Sequence, residues 1–159
     1  MVNDNALKLL NHIGNELKLL WSQMDMYQEL FCAEKDKRRV LLQATAPGFF
    51  VIIQLTLVES ILMRVIRLMD PATTNNNNDN CSLQGLKKAL PQDMGGLRNS
   101  IDSLFNQYKD DPFKTLKAVR NKALGHNDLT KRDALAPNQL WINFTDEDYK
   151  NVQQLAGAL

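Results

Sequence analysis

Apolar residues recur at helical spacing along most of the chain. In the first segment they stand three or four residues apart, at Leu7, Leu10, Ile13, Leu17, Leu20 or Trp21, Met24, Tyr27 and Phe31. This period predicts an amphipathic helix, and Asn3 or Asn5 is available to cap its first turn. The basic run from Lys35 to Arg39 predicts a solvated bend, followed by a short helical piece over residues 40–42.

A second, more apolar helix is predicted from Pro47, which suits a first helical turn, to Asp70, where Asp70-Pro71 stops it. Its stretch from Phe49 to Met69 is about long enough to span a bilayer. Four polar or charged residues interrupt that stretch, and charges are costly in lipid: Gln54, Glu59, Arg64 and Arg67. The pattern therefore predicts a central core helix rather than a membrane anchor.

The remaining predicted elements are shorter. Residues 73–80 are polar turn formers without a period, which indicates an exposed loop. Ser82 is placed to cap a helix over residues 83–90 that Pro91 ends, and Gly95-Gly96 precedes a helix from Leu97 to Tyr108. Asp111-Pro112 opens a further helix with Phe113, Leu116, Val119 and Ala123 on or near its apolar face.

The C-terminal part ends in one more predicted helix. Residues 129–138 carry no clear pattern, and residues 141–144 suit a short extended piece. Thr145 with Asp148 resembles a capping box for a helix through Leu155, with Gly157 beyond its end. Because no useful β-alternation and no repeat occurs, the sequence predicts one all-α domain over residues 1–159, an up-and-down bundle of four main helices plus short extra helices.

Composition narrows the class of protein. A chain of 159 residues suits a single domain, and its formal net charge of +1 argues against coating nucleic acid by bulk charge, although a local basic patch remains compatible. Cys32 and Cys81 have no partners at metal-ligand spacing, which favours two reduced thiols. Met1 to Asn5 has no basic leader region. We therefore expect a cytoplasmic protein without a membrane partner, metal or cofactor.

One segment carries candidate chemistry: Arg120-Asn121-Lys122-Ala123-Leu124-Gly125-His126, with Gly125 at a plausible helix C-cap. Six steps along a straight helix advance about 9 Å and rotate by roughly 600°, so Arg120 and His126 do not share one face. Either the chain turns at Gly125, or a second copy contributes. A two-fold dimer would place the same segment of both subunits in a single cleft.

These residues resemble a known family. Arg120-Asn121, four further residues and His126 resemble the Arg-x(4–6)-His signature of the HEPN superfamily, and the string through Asp128 is similar to its abortive-infection, AbiU-type branch. Two earlier strings resemble the same branch: Ala46-Pro47-Gly48-Phe49-Phe50, and Arg67-Leu68-Met69-Asp70-Pro71 with Ser82-Leu83 after the polar loop. The resemblance covers most of the region from Ala46 to Asp128.

The resemblance implies a homodimeric helical bundle, often a metal-independent endoribonuclease of phage-defence or toxin–antitoxin systems. Arg120 and His126 match the two signature positions, and Asn121 matches the polar position after the arginine. A related group carries a tyrosine two residues past the histidine, which a partner nucleotidyltransferase modifies to silence the toxin. Here that position is Asp128, which puts that form of control in doubt; an antitoxin or a sensor remains a candidate partner.

The chemistry of these residues agrees with RNA cleavage. A histidine can act as general base or acid near neutral pH, and a guanidinium can hold phosphate oxygens in pairs. Between residues 114 and 132 the charge is +5, from six cations less one acidic residue: Lys114, Lys117, Arg120, Lys122, Lys131 and Arg132, with Asp128. Lys117, Lys122, Lys131 and Arg132 are therefore candidate RNA-binding residues.

Other interpretations stay open. Arg120 and His126 suit an exposed helix-end pair that interacts with the helix dipole, or a degenerate HEPN fold that binds RNA, a nucleotide or a partner protein without cleavage. His12 is interpreted as a solvated or boundary residue. The second helix carries a polar stripe, in which Glu59 either pairs with Arg64 or Arg67 or supports the catalytic cleft: Thr56, Glu59, Ser60, Met63, Arg67 and Asp70.

Overall fold

The computed structural model describes residues 4–32, 35–73, 79–108, 110, 114, 116–117 and 146–158. Within these ranges the chain is helical apart from short turns and one isolated bridge between Thr73 and Asp79. The α-helices are α1 (Asp4–Tyr27), α2 (Lys35–Thr45), α3 (Pro47–Leu68), α4 (Leu83–Ala89), α5 (Gly95–Tyr108) and α6 (Asp146–Ala158). A π-helical segment (Gln28–Cys32) continues α1, and a 3₁₀ turn (Gln92–Met94) precedes α5. The predicted all-α class is confirmed.

The centre of the bundle is the antiparallel pair of α1 and α3. Their polar contacts run in opposite order along the two helices: Tyr27 with Gln54, Gln23 with Ser60, and Glu16 with Arg64. The buried positions of α1 recur mostly at intervals of one or two turns and form a single stripe: Ala6, Ile13, Leu20, Met24 and Tyr27. The stripe is narrower than the sequence predicts, since Leu7, Leu10 and Trp21 are exposed.

Helix α3 is long and apolar enough to cross a membrane by length and composition. The fully buried side chains of α3 all lie in its C-terminal half. From Leu57 onward it supplies the core with seven buried residues, Leu57, Val58, Ile61, Leu62, Val65, Ile66 and Leu68, whereas residues 47–56 include none. The predicted core helix is therefore confirmed for the C-terminal half of α3, whereas its N-terminal half supplies only partly buried side chains, among them Ile53, which packs against the core.

The C-terminal helix α6 packs on both members of the central pair. Its buried face consists of Tyr149, Val152, Leu155 and Ala156. The Tyr149 hydroxyl donates a hydrogen bond to the Met24 carbonyl oxygen (3.2 Å), and its ring lies 5.1 Å from that of Tyr27. Burial raises the pKa of Tyr149 to about 12, so the hydroxyl keeps the proton that this bond requires.

Helices α4 and α5 are joined by side-chain hydrogen bonds and an ion pair. Ser82 caps α4 as predicted, its Oγ accepting a hydrogen bond from the Gly85 backbone N–H (3.1 Å). At the other end of α4, Arg98 Nη1 donates to the carbonyl oxygens of Lys87 (3.0 Å) and Leu90 (2.9 Å), which lack helical partners there. An ion pair between Lys87 and Asp102 adds a second tie.

Three predicted boundaries are wrong. Residues 35–39 do not form a bend; they open α2, because Lys and Arg are good helix formers. Gly95 and Gly96 lie inside α5 rather than before it, and α6 continues through Gly157 to Ala158. A glycine only weakens a helix and does not end it when packing on either side holds the backbone. The predicted elements between residues 118 and 145 lie outside the described residues.

A polar network joins α1 to α3 in the middle of the pair. Arg64 Nη1 lies 2.5 Å from Glu16 Oε2, and Arg64 Nε donates to Gln23 Oε1 at 3.0 Å. Gln23 in turn donates to Ser60 Oγ at 2.8 Å. The predicted pairing of Glu59 with Arg64 is therefore wrong: Glu59 is exposed, one position away from the face that meets α1. Among the described residues, Glu59 forms no ion pair with Arg67 either.

Arg64→Ala should lower the free energy of unfolding by about 1–3 kcal/mol, because it leaves the partly buried Glu16 carboxylate and the Gln23 amide without their shared partner. Arg67→Ala is the matched control on the same helix: Arg67 is exposed, and its loss should cost no more than about 0.5 kcal/mol. Urea unfolding followed by circular dichroism measures both. Equal losses would contradict the role assigned to the network.

Gly85→Ala should destabilise the chain by about 1–3 kcal/mol, as overpacked sites do. A Cβ on Gly85 would overlap the Asn80 carbonyl oxygen, so the turn before α4 would have to move. Gly14→Ala meets open space within α1 and should instead stabilise by up to about 1 kcal/mol. Thermal unfolding of the two variants should shift in opposite directions; two shifts of the same sign would contradict the close approach assigned to Gly85.

Candidate functional site

The approach to the predicted motif is anchored in the core. After α5, the Lys114 backbone N–H donates to the Asp110 carbonyl oxygen at 3.2 Å, and residues 114, 116 and 117 are helical. Leu116 is completely buried. The predicted helix that leads to Arg120 is thus present at its described positions, and Leu116 ties it to the bundle four residues before that arginine.

Two of the predicted site residues fall within the described part of the chain. Lys117 is half-buried next to Leu116, and Glu59 is exposed on α3. The others lie outside the described residues: Arg120, Asn121, Lys122, His126, Asp128, Lys131 and Arg132. The composite Arg120–His126 site and the supporting role of Glu59 accordingly stay predictions.

A cavity of about 420 Å³ lies between α1 and the turn that leads into α4. Helix α1 lines it with Asn5, Lys8 and His12, which share one helical face because they are three and four residues apart. His12 is exposed, which agrees with its interpretation as a solvated residue. Sequence reasoning considered His12 alone and missed this cavity; its spacing from Lys8 and Asn5 was the available signal.

The opposite wall of this cavity carries polar side chains, but its lysine is ion-paired and its thiol is not an activated nucleophile. Lys88 is paired with Asp79 at 2.9 Å, so part of its positive charge is already compensated. Burial and the negative charge of Glu16 raise the pKa of the Cys81 thiol. A thiol with a raised pKa is protonated near neutral pH and is a poor nucleophile. Among the described residues, no group of three His, Cys, Asp or Glu side chains is arranged to hold a metal ion.

An apolar groove of about 460 Å³ lies on the other side of α4, between α1 and α5. Leu10, Leu86, Leu97, Ile101 and Leu104 contribute to its walls. The groove explains why Leu10 and Leu97 are exposed although they follow the helical period: each faces the groove instead of the closed core.

Comparison with known protein families gives a match over most of the chain. The family model of the HEPN AbiU2 proteins matches residues 4–152, from the first residue of α1 into α6 and across the whole Arg120 to His126 segment. No curated protein and no solved structure matches the chain. Since the match covers nearly the entire length, and since the described part is an all-helical bundle, the chain belongs to the HEPN AbiU2 family and is a defence-associated, abortive-infection HEPN module.

Proposed function

We propose that this chain is a metal-independent endoribonuclease of a phage-defence or toxin–antitoxin system, acting in the cytoplasm as a homodimer. The observation that carries the proposal is the Arg120-Asn121-x4-His126 segment inside the matched HEPN region. The net charge of +5 between residues 114 and 132, in a chain whose total is +1, supports an RNA substrate. Burial of Leu116 supports a firmly held approach to the segment.

In the proposed reaction RNA supplies its own nucleophile. His126 of one subunit takes the proton of a ribose 2′-hydroxyl, and the 2′-oxygen attacks the adjacent phosphorus atom. The bond from phosphorus to the 5′-oxygen of the next nucleotide breaks, and His126 of the second subunit returns a proton to that oxygen. Arg120 stabilises the charge that grows on the phosphate oxygens. The products are a 2′,3′-cyclic phosphate and a free 5′-hydroxyl.

Each remaining candidate residue has a stated role in this proposal. Lys117, Lys122, Lys131 and Arg132 hold the RNA backbone, while Asn121 donates a hydrogen bond beside Arg120. Glu59 and Asp128 orient the cations of the site. No aromatic residue stands beside the motif to stack bases, so we expect single-stranded or loop RNA to be selected by accessibility.

The alternative is a HEPN module that binds RNA, a nucleotide or a partner protein without turnover. The cavity lined by Lys8 and His12 is the feature that favours it, because it offers a cation and a hydrogen-bonding ring in one recess. The two functions differ in whether the substrate is consumed.

The purified chain should cleave single-stranded RNA in an excess of chelator and leave 2′,3′-cyclic phosphate ends. His126→Ala and Arg120→Ala should each lower the rate by about 10²–10⁴-fold, the range for a general acid–base group or a charge-stabilising donor. His12→Ala is the matched control, the only other histidine of the chain, and should keep the parental rate. If all four proteins behave alike, catalysis by this site is wrong.

RNA binding should weaken steeply with salt, and the double variant Lys131→Gln, Arg132→Gln should reduce the slope of log K against log[salt] by about 1.4, or 0.7 per lost phosphate contact on a single strand. The measurement is fluorescence anisotropy with labelled RNA and His126→Ala as the uncleaving background. The matched control is Lys18→Gln, an exposed cation on α1. A slope lowered equally by the control would contradict a footprint at residues 114–132.

A further inference from the structure

The cavity between α1 and the turn that leads into α4 has walls that the rest of the fold holds in place. We call it the α1–α4 cavity. On its α1 side, Ala6 and Ile13 are buried in the core, and α1 contacts α4 directly. The face of α1 that carries Asn5 and Lys8 into the cavity is therefore fixed.

The opposite wall is fixed by hydrogen bonds of the turn before α4. The Asn80 backbone N–H donates to the Ala72 carbonyl oxygen, and the Asn80 side-chain amide donates to the Pro71 carbonyl oxygen, both at 2.8 Å. Asn80 also lies so close to Gly85 that a Cβ there would overlap its carbonyl oxygen. The turn thus packs tightly on α4, which carries Lys88, and a ligand entering between the two walls has little structure to order.

The size of the α1–α4 cavity suits a small molecule. Its volume of about 420 Å³ falls within the range of small-molecule sites, roughly 300–1,000 Å³. Leu9 and Ala89 are half-buried and add apolar surface to the polar lining. The cavity therefore has room for a charged group together with a small organic group attached to it.

The charges of the α1–α4 cavity favour an anion. Lys8 stands on the α1 wall and Lys88 on the α4 wall, and Asp79 is the one carboxylate among the described residues that line the cavity. The raised pKa of the Cys81 thiol keeps it protonated near neutral pH, so no thiolate adds a second negative charge. With His12 neutral, two cations on opposite walls face a single carboxylate.

The ion pair of Lys88 with Asp79 does not close this site to a ligand. Its two side chains are 60 % and 68 % exposed, and they meet at 2.9 Å. Ion pairs this exposed contribute little to stability because water and salt screen them. An anion that carries more charge than one carboxylate can therefore replace Asp79 as the partner of Lys88.

We propose that the α1–α4 cavity binds the phosphate monoester of a small organic molecule between Lys8 and Lys88. A phosphate monoester carries about 1.5–2 negative charges near neutral pH and three acceptor oxygens, so it can accept hydrogen bonds from both lysines at once. A phosphodiester of an RNA backbone carries a single charge and gains less here. The site is separate from the Arg120 to His126 segment, and the inference does not depend on RNA cleavage.

The full-length, ¹⁵N-labelled chain should bind methyl phosphate in the absence of RNA at constant ionic strength. Nuclear magnetic resonance should show saturable shifts of the backbone amides in residues 5–12 and 79–89, the two walls of the cavity. Dimethyl phosphate, which has the same shape but a single charge, should bind about tenfold more weakly or less. No saturable shift at these residues, or equal affinity for the two esters, would overturn the proposal.

The two members of the ion pair should have opposite effects on binding. Lys88→Gln, like Lys8→Gln on the other wall, should weaken methyl phosphate binding by about tenfold or more, the range for a hydrogen bond to a charged group. Asp79→Asn should instead tighten binding by about two- to fivefold, because it removes the competitor for Lys88. Weaker binding in both Asp79→Asn and Lys88→Gln would show that the pair only supports the wall, and would contradict the site.

Lys18→Gln is the matched control, because Lys18 is an exposed lysine of the same helix that does not line the cavity. It should keep the parental affinity, and an equal loss would assign the binding to overall positive charge and overturn the proposal. Thermal unfolding without ligand verifies that each variant is folded. A chain that binds methyl phosphate without cleaving RNA supports the α1–α4 cavity and contradicts the ribonuclease; cleavage without such binding does the reverse.

Discussion

The structure depends on the antiparallel contact between α1 and the C-terminal half of α3. The buried stripe of α1 from Ile13 to Tyr27 meets the buried positions of α3 from Leu57 onward, and α6 closes over both. Apolar packing alone would tolerate a shift of α1 along α3 by one helical turn. The network of Arg64 with Glu16 and Gln23 does not, since a shift would leave a partly buried guanidinium without its carboxylate. The polar network therefore fixes the register that the apolar stripe permits.

Local chemistry explains what the sequence could predict about this fold. Helical periods marked α1, α3 and α5, Pro47 marked the start of α3, and Ser82 marked the cap of α4. Each of these signals acts within a few residues. The partner of Arg64 is Glu16, 48 positions away, and nothing in the local pattern distinguishes it from Glu59. The same reason explains the boundary errors at Lys35 and Gly95, because tertiary packing decides whether a weak helical segment continues.

The candidate site likewise has a part that local sequence could predict and a part that it could not. Its residue types and their spacing were visible in the sequence: an arginine, a polar neighbour and a histidine at the predicted helix end of a basic segment are local features. In the proposed dimer, the way in which Arg120 of one subunit would meet His126 of the other is a property of assembly, and local sequence does not specify it. Of this region the structure contributes one anchor: Leu116, four residues before Arg120 in the sequence, is completely buried in the core.

Self-association and RNA binding place opposite demands on a small protein surface. A two-fold axis doubles every charge near it, so a strongly basic face that binds phosphate repels its own copy. Charge is unevenly distributed along this chain: residues 40–58 carry none, whereas residues 114–132 carry +5. In the proposed homodimer, an RNA strand held between two basic segments would offset this repulsion.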